Sequence, residues 1–189
     1  MGNREDLLEG AKRCIYEKGY ARTTARDIAA AAGTSLAAIG YHYKTTEALL
    51  NLAILEVMGE WGEKLAAALQ PDNKDADLLG RFESMWRGVL ESFKTDRAAY
   101  AATLEVYGQI ERVPEVRKAF ADGMDVTRFW WAGMMHGVDP GDEKKARVLG
   151  SFYQALMSGV IVQWLIDPER APSAEDLAEA LRLVSAETR

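Results

Sequence analysis

No stretch of this chain alternates apolar and polar residues as a half-buried strand must, and every segment between breaks has helical length and period. The breaks fall at 19–20 (GY), 32–35 (AGTS), 44–46 (KTT), 70–75 (QPDNKD), 94–96 (KTD), 112–114 (RVP), 136–142 (HGVDPGD) and 167–173 (DPERAPS). These are turn, cap and helix-stop residues. The pattern predicts an all-α fold of about nine helices, near 4–18, 25–32, 36–42, 46–69, 75–93, 97–108, 115–136, 142–166 and 173–186.

Local chemistry supports those boundaries. Thr24 with Asp27 three residues on is a near capping box, with Asp for the usual Glu or Gln. Ser35 and Thr45 stand where caps of helices 3 and 4 belong. Helix 1 gathers Leu7, Leu8, Ala11, Cys14 and Ile15 on one face. Helix 7 spaces Phe120, Met124, Thr127 and Trp131 along one stripe. Helix 8 is apolar twice over, with Leu149, Phe152, Leu156 and Val160 on one side and Met157, Ile161, Trp164 and Leu165 on another. A helix apolar on two sides packs against two things. One is its own domain, and the other is expected to be a second copy of the chain.

At 189 residues the chain can bury a core without disulfides. Its single cysteine, Cys14, fits a reducing compartment and reads as inert packing. No apolar leader-like run follows the first residues, and the longest apolar run, 155–166, reads as too short to span a bilayer. A cytoplasmic protein with no membrane partner is expected. Net charge is −6. Residues 1–50 carry seven Lys or Arg against six Asp or Glu, leaving +1, so the remainder carries −7. The acidity belongs to the C-terminal part.

One short segment has an odd composition. Helix 3 carries Ala37, Ala38 and Gly40, then Tyr41, His42 and Tyr43, where a core helix would carry Leu and Ile. Helix 2, a Gly turn and helix 3 have the lengths and punctuation of a helix-turn-helix, whose second helix enters the major groove. Small residues let a helix backbone approach base edges, and Ala methyls can touch thymine methyls. Tyr41, Lys44 and the hydroxyls of Thr24, Ser35 and Thr46 suit phosphates. The candidate DNA-binding set is Thr24, Ser35, Leu36, Ala37, Ala38, Gly40, Tyr41, His42, Lys44 and Thr46.

Residues 7–52 resemble the DNA-binding region of the TetR/AcrR family of one-component regulators. The matching string is TTARDIAAAAGTSLAAIGYHYKTTEALLNLAI, 23–54. It carries the family's Ile-Ala pair as Ile28-Ala29, its Ala-Gly-Val-Ser as 32–35, its aromatic-His-aromatic step as Tyr41-His42-Tyr43, and its Glu-x-Leu as Glu47-Ala48-Leu49. Thr34 stands where Val is common. Thr46 stands where Lys is common, which removes a phosphate contact. With the near-neutral charge of 1–50, this predicts a modest salt slope and tight binding only by a dimer on two half-sites. The resemblance implies a core role for Tyr43. It also implies an N-terminal three-helix DNA-binding domain, 1–46, and a C-terminal helical domain, 47–189, for ligand binding and dimerisation, with helices 8 and 9 forming a four-helix interface. Leu177, Leu181 and Val184 are consistent with that face.

The C-terminal half is rich in large soft side chains. Most read as core, but a subset could line a ligand cavity among helices 5–8. The candidates are Met85, Trp86, Tyr107, Met124, Arg128, Trp131 and Phe152, with Glu105, Gln109 and His136 as further polar anchors. An apolar or aromatic small molecule would suit them.

Catalysis needs converging reactive groups. The two histidines, His42 and His136, fall in different expected domains, and no HExxH, CxxC, GxGxxG, P-loop or GxSxG string occurs. No enzyme activity, cofactor or metal is expected. The reading is a transcriptional regulator, most simply a repressor released from a pseudo-palindromic double-stranded DNA operator by its small-molecule effector. The alternative is a small-molecule receptor or protein-interaction module that no longer binds DNA.

Overall fold

The computed structural model describes residues 3–68, 77–108, 110–111 and 113–187. Among the described residues the chain forms nine helices and no strand: α1 (Asn3–Lys18), α2 (Ala25–Ala31), α3 (Leu36–Tyr43), α4 (Thr46–Ala68), α5 (Leu78–Thr95), α6 (Arg97–Tyr107), α7 (Pro114–His136), α8 (Glu143–Ile166) and α9 (Ala174–Glu187). The all-α expectation holds. The break expected at 70–75 and the anchor expected at Gln109 lie outside the described residues.

The caps explain the boundaries. Thr24 and Asp27 close a full capping box: the Asp27 N–H donates to Thr24 Oγ1 at 3.3 Å and the Thr24 N–H to Asp27 Oδ2 at 3.0 Å. Asp therefore does the work expected of Glu. The Ala48 N–H donates to Thr45 Oγ1 at 3.0 Å, opening α4. Ser35 sits at the α3 cap position but makes no side-chain cap bond, so its hydroxyl is not consumed as the sequence predicts. Asp142 caps α8 through the Lys145 N–H at 3.1 Å. Ser173 and Asp176 cap α9 reciprocally, each accepting the other's N–H at 3.0 Å.

The chain divides into two compact units, Met1–Lys64 with Asp96–Ala119, and Leu65–Thr95 with Phe120–Arg189. In the first, Leu7, Ala11 and Ile15 of α1 share a core with Ile28 of α2, Ile39 and Tyr43 of α3, and Leu49, Ile54 and Val57 of α4. Gly10 lets α1 and α2 close up: a β-carbon there would meet Ala32 Cβ at 3.0 Å. Gly33, at φ +63, makes the left-handed turn into α3. Lys12 is buried yet charged. It pairs with Glu9 at 2.8 Å, with Glu56 at 3.7 Å and with Glu60, so α1 is tied to α4 at two places one turn apart. Those carboxylates hold its pKa above the ordinary lysine value against the opposing effect of burial.

In the second unit, α5 buries Phe82, Met85, Trp86, Val89 and Phe93, and α7 contributes Trp131, Ala132 and Met135. Two expectations need correction here. The α7 stripe is not one buried face: residues 121–127 are exposed all round, and only Trp131 of the predicted four is buried. In α8 the inner face is Ala146, Gly150, Tyr153, Met157, Val160, Ile161 and Trp164. The outer apolar positions are Val148, Phe152, Ala155, Gly159, Val162 and Ile166. Phe152 and Val160, grouped together from sequence, lie eight residues apart and therefore about 80° apart around a helix. Residues 148–166 carry no charge, so α8 is long and apolar enough to cross a membrane, contrary to the count from 155 alone. A helix that is apolar on two faces has such a composition.

Candidate nucleic-acid interface

The expected DNA-binding residues fall along one exposed side of α3 and the turns at its ends. Leu36, Ala37, Gly40 and Tyr41 are exposed, while Ile39 and Tyr43 face the core. Tyr41 is 85% exposed, so it is not packed beneath α1. His42 is half-buried and meets the Tyr41 ring edge-on at 4.8 Å between centroids. Ala38 is half-buried, and a β-carbon on Gly40 would meet nothing within 4 Å. Ser35 is exposed with its hydroxyl uncommitted to the helix. Thr24 is exposed, but its hydroxyl donates to Asp27 Oδ2 at 2.7 Å. Thr46 is half-buried as the first residue of α4.

Lys44 is exposed at the end of α3 with φ +67, the one described non-glycine residue with positive φ. That conformation costs an ordinary side chain about 1–3 kcal/mol and concentrates at functional positions. Tyr43 is the opposite case. It is 8% exposed, its hydroxyl donates to the Arg4 carbonyl at 2.6 Å, and the Arg4 guanidinium lies 5.4 Å from its ring centre.

Most cations of residues 4–46 are engaged within the protein. Lys12 is held by its three carboxylates. Arg13 donates to the Ala31 carbonyl, Lys18 pairs with Asp27 at 2.5 Å, and Arg22 Nε donates to the Lys18 carbonyl at 2.7 Å. Arg4 lies over Tyr43. Lys18 and the Thr24 cap together hold the Asp27 carboxyl down to about 2. Sequence reading missed these pairings, because all but Lys12–Glu9 join residues on different helices or beyond a helix end.

The expected effector residues are dispersed. Met85, Trp86 and Trp131 are buried within the second unit. Arg128 is half-buried and pairs with Asp125 at 2.6 Å. Met124 and Phe152 are exposed, and so is Tyr107, which belongs to the first unit. Glu105, also in the first unit, accepts the Ala21 N–H at 3.0 Å, in the turn between α1 and α2. His136 is half-buried, and its Nε2 lies 2.9 Å from the Tyr153 hydroxyl. Sequence reading left out the ring that joins this group. Tyr153 stacks on Trp131 at 5.6 Å and 13°, and touches Phe82 at 6.1 Å. Burial pushes its hydroxyl pKa up to about 12. The indole N–H of Trp86 is buried beside Phe82 with no acceptor among the described residues.

A helix-turn-helix with an exposed, small-residue second helix, followed by a separate aromatic-cored helical unit, defines a one-component DNA-binding regulator. Residues 7–53 match the bacterial regulatory proteins of the tetR family, and residues 77–187 match the tetracyclin repressor-like C-terminal domain. The chain belongs to the TetR family of transcriptional regulators, and is a regulator rather than an enzyme. It is 28% identical to the HTH-type transcriptional repressor AcnR of Corynebacterium efficiens, over 100% of this chain and 94% of that protein. It is 25% identical to the HTH-type transcriptional regulator TtgR of Pseudomonas putida, over 88% of this chain and 81% of that one. Its fold matches the crystal structure of the multidrug binding protein EbrR complexed with proflavin, with TM-score 0.73 and 21% identity over 95% of this chain and 98% of that one.

Proposed function

We propose that this regulator is a homodimeric cytoplasmic repressor whose residues 1–46 hold a pseudo-palindromic operator and whose residues 47–189 hold an effector and the partner protomer. The observation that carries the DNA reading is the outward face of α3: Tyr41, 85% exposed, stands beside Ala37 and Gly40 with no protein surface covering it. Such a face fits a groove, because small side chains admit the helix and the ring hydroxyl reaches a phosphate. Repression is supported by the similarity to AcnR, a transcriptional repressor.

Dimerisation through α8 and α9 is supported by the outer stripe of α8. Val148, Phe152, Ala155, Gly159, Val162 and Ile166 recur at alternating intervals of four and three, the spacing of a helix–helix seam. Ala155 and Gly159 at its middle allow close approach. Leu183 and Val184 of α9 are exposed as well.

The effector is an apolar or aromatic small molecule. Support comes from the Phe82, Trp86, Trp131 and Tyr153 cluster with Met85 beside it in sequence, and from EbrR, which is crystallised with proflavin. Arg128 and His136 flank Trp131 along α7 and are its candidate polar anchors. Both α4 and α7 run from one unit into the other, so strain set up by a ligand has a covalent route to the DNA-binding helices. Release requires only that the ligand favour the released state by about 1–3 kcal/mol.

The test is selection of random duplex DNA on the purified protein at low salt, followed by a screen of aromatic compounds against the selected duplex. An enriched two-half-site sequence released by a compound supports the reading. A folded dimer that enriches nothing moves the receptor without DNA ahead of it.

A further inference from the structure

The core of the second unit holds a polar group without a partner. Trp86 of α5 is 1% exposed, and its indole Nε1–H meets no acceptor among the described residues. Buried donors are nearly always paired, because an orphaned one forfeits the hydrogen bond it had to water. A phenyl ring would fill most of the same space without that cost. The donor is therefore explained by something that the single chain does not supply.

The surroundings narrow what can meet it. Trp86 lies against Phe82 with ring centres 6.3 Å apart, Phe82 against Tyr153 at 6.1 Å, and Tyr153 is stacked on Trp131 at 5.6 Å. Such faces suit a flat aromatic molecule. The Tyr153 hydroxyl is already engaged with His136 Nε2 at 2.9 Å. Met85, beside Trp86 in sequence, and Met157, one turn beyond Tyr153 on the inner face of α8, are buried and unbranched, so they can give way as a ligand enters.

Ring faces also attract cations. The local charge opposes that. Among the described residues, the charges acting on His136 and Tyr153 are those of Arg81 and Lys145, with no carboxylate. A cation would enter a positive field and leave the indole donor unpaired.

We propose that Trp86 is the specificity-determining residue of the effector site: its indole N–H donates to a carbonyl, ether or ring-nitrogen acceptor on an uncharged aromatic ligand, and organic cations are disfavoured. This names the chemical class of the aromatic effector described above and rests on that reading.

The experiment uses pairs of uncharged aromatics that differ by one carbonyl, fluorene with 9-fluorenone and ethylbenzene with acetophenone, and proflavin as a cationic three-ring probe. Binding to the full chain and to Trp86→Phe is measured by calorimetry. Indole proton–nitrogen spectra of wild type follow the Trp86 signal, assigned among the five tryptophans through its contact with Phe82. In at least one pair the ketone should bind wild type roughly tenfold or more tighter than its hydrocarbon. It should also bind more tightly than proflavin. The Trp86 N–H proton should move downfield with the ketone and not with the hydrocarbon. In Trp86→Phe the two members of the pair should bind alike. If that variant does not fold, the wild-type measurements decide by themselves. Equal binding of ketone and hydrocarbon by wild type, or an N–H signal that stays in place in the ketone complex, overturns the assignment and leaves an aromatic effector site standing. Proflavin binding more tightly than either ketone also overturns it. If no probe binds the folded protein, the aromatic effector reading fails, and this assignment fails with it.

Discussion

Gly150 of α8 runs directly against the backbone of Arg128 of α7. A β-carbon at Gly150 would lie 2.5 Å from Arg128 Cα and 2.6 Å from its carbonyl carbon, and closer still to its carbonyl oxygen. The obstacle is main chain, which cannot rotate away. Helix propensity alone would make Gly150→Ala stabilising by about 1 kcal/mol. The crossing reverses the sign: α7 and α8 must part, and overpacking of this kind costs about 1–3 kcal/mol or more. Denaturant unfolding of the variant should show that loss. A stability equal to or above wild type would show that the two helices are not so close.

The outer stripe of α8 makes a different demand. Ile166 is 78% exposed in the single chain, so Ile166→Glu leaves the protomer core intact. If the stripe is the seam between two copies, the variant sets two carboxylates into an apolar contact. Sedimentation should show a shift toward monomer, and operator binding should weaken because both half-sites are no longer held together. A variant that stays dimeric at the same concentration removes α8 from the interface.

The α8 stripe also marks how far the sequence can be read. Helix limits were legible because they are written locally, in Thr24, Thr45, Gly33 and Ser173. The helix-turn-helix was legible because Ala37, Gly40 and Tyr41 are wrong for a core and right for a groove. Which α8 residues face inward was not legible: Leu, Val and Phe occur around the helix, and only the positions of α5 and α7 decide the matter. Nor was the burial of Lys12, whose partner Glu60 lies 48 residues away. The effector residues were chosen by type, and type alone does not separate buried Trp131 from exposed Met124.

The His136–Tyr153 pair makes the second unit sensitive to acid. Burial, with like charge from Arg81 and Lys145, holds the His136 pKa below its ordinary value. The neutral ring shares a hydrogen bond through Nε2 with the Tyr153 hydroxyl, which its own raised pKa keeps protonated. The folded state therefore prefers the neutral imidazole. Its contribution is complete above the unfolded pKa of about 6.5 and is lost as pH falls through the lower folded value. Between pH 7.5 and 5.5 the wild-type melting temperature should fall more than that of His136→Asn, which cannot titrate. Parallel curves for the two proteins would clear His136 of any part in the acid response.

Lys44 allows function and folding to be separated at one position. Its φ of +67 suits glycine and strains lysine, by about 1–3 kcal/mol. Lys44→Gly relieves that strain, partly offset by the greater freedom of glycine in the unfolded chain. The variant should melt no lower than wild type. Its operator affinity should nonetheless fall, because the ammonium that stands at the end of α3 is gone. If each protomer places one Lys44 on a phosphate, the slope of log affinity against log salt becomes shallower by about 0.9 per contact, or about 1.8 for a dimer. Across a fourfold rise in salt, that is roughly a 12-fold smaller loss of affinity than wild type shows. Equal slopes with an unaltered melt would mean that the turn is strained for some purpose other than holding DNA. A lower melt would mean that Lys44 contributes to the fold more than its backbone conformation costs.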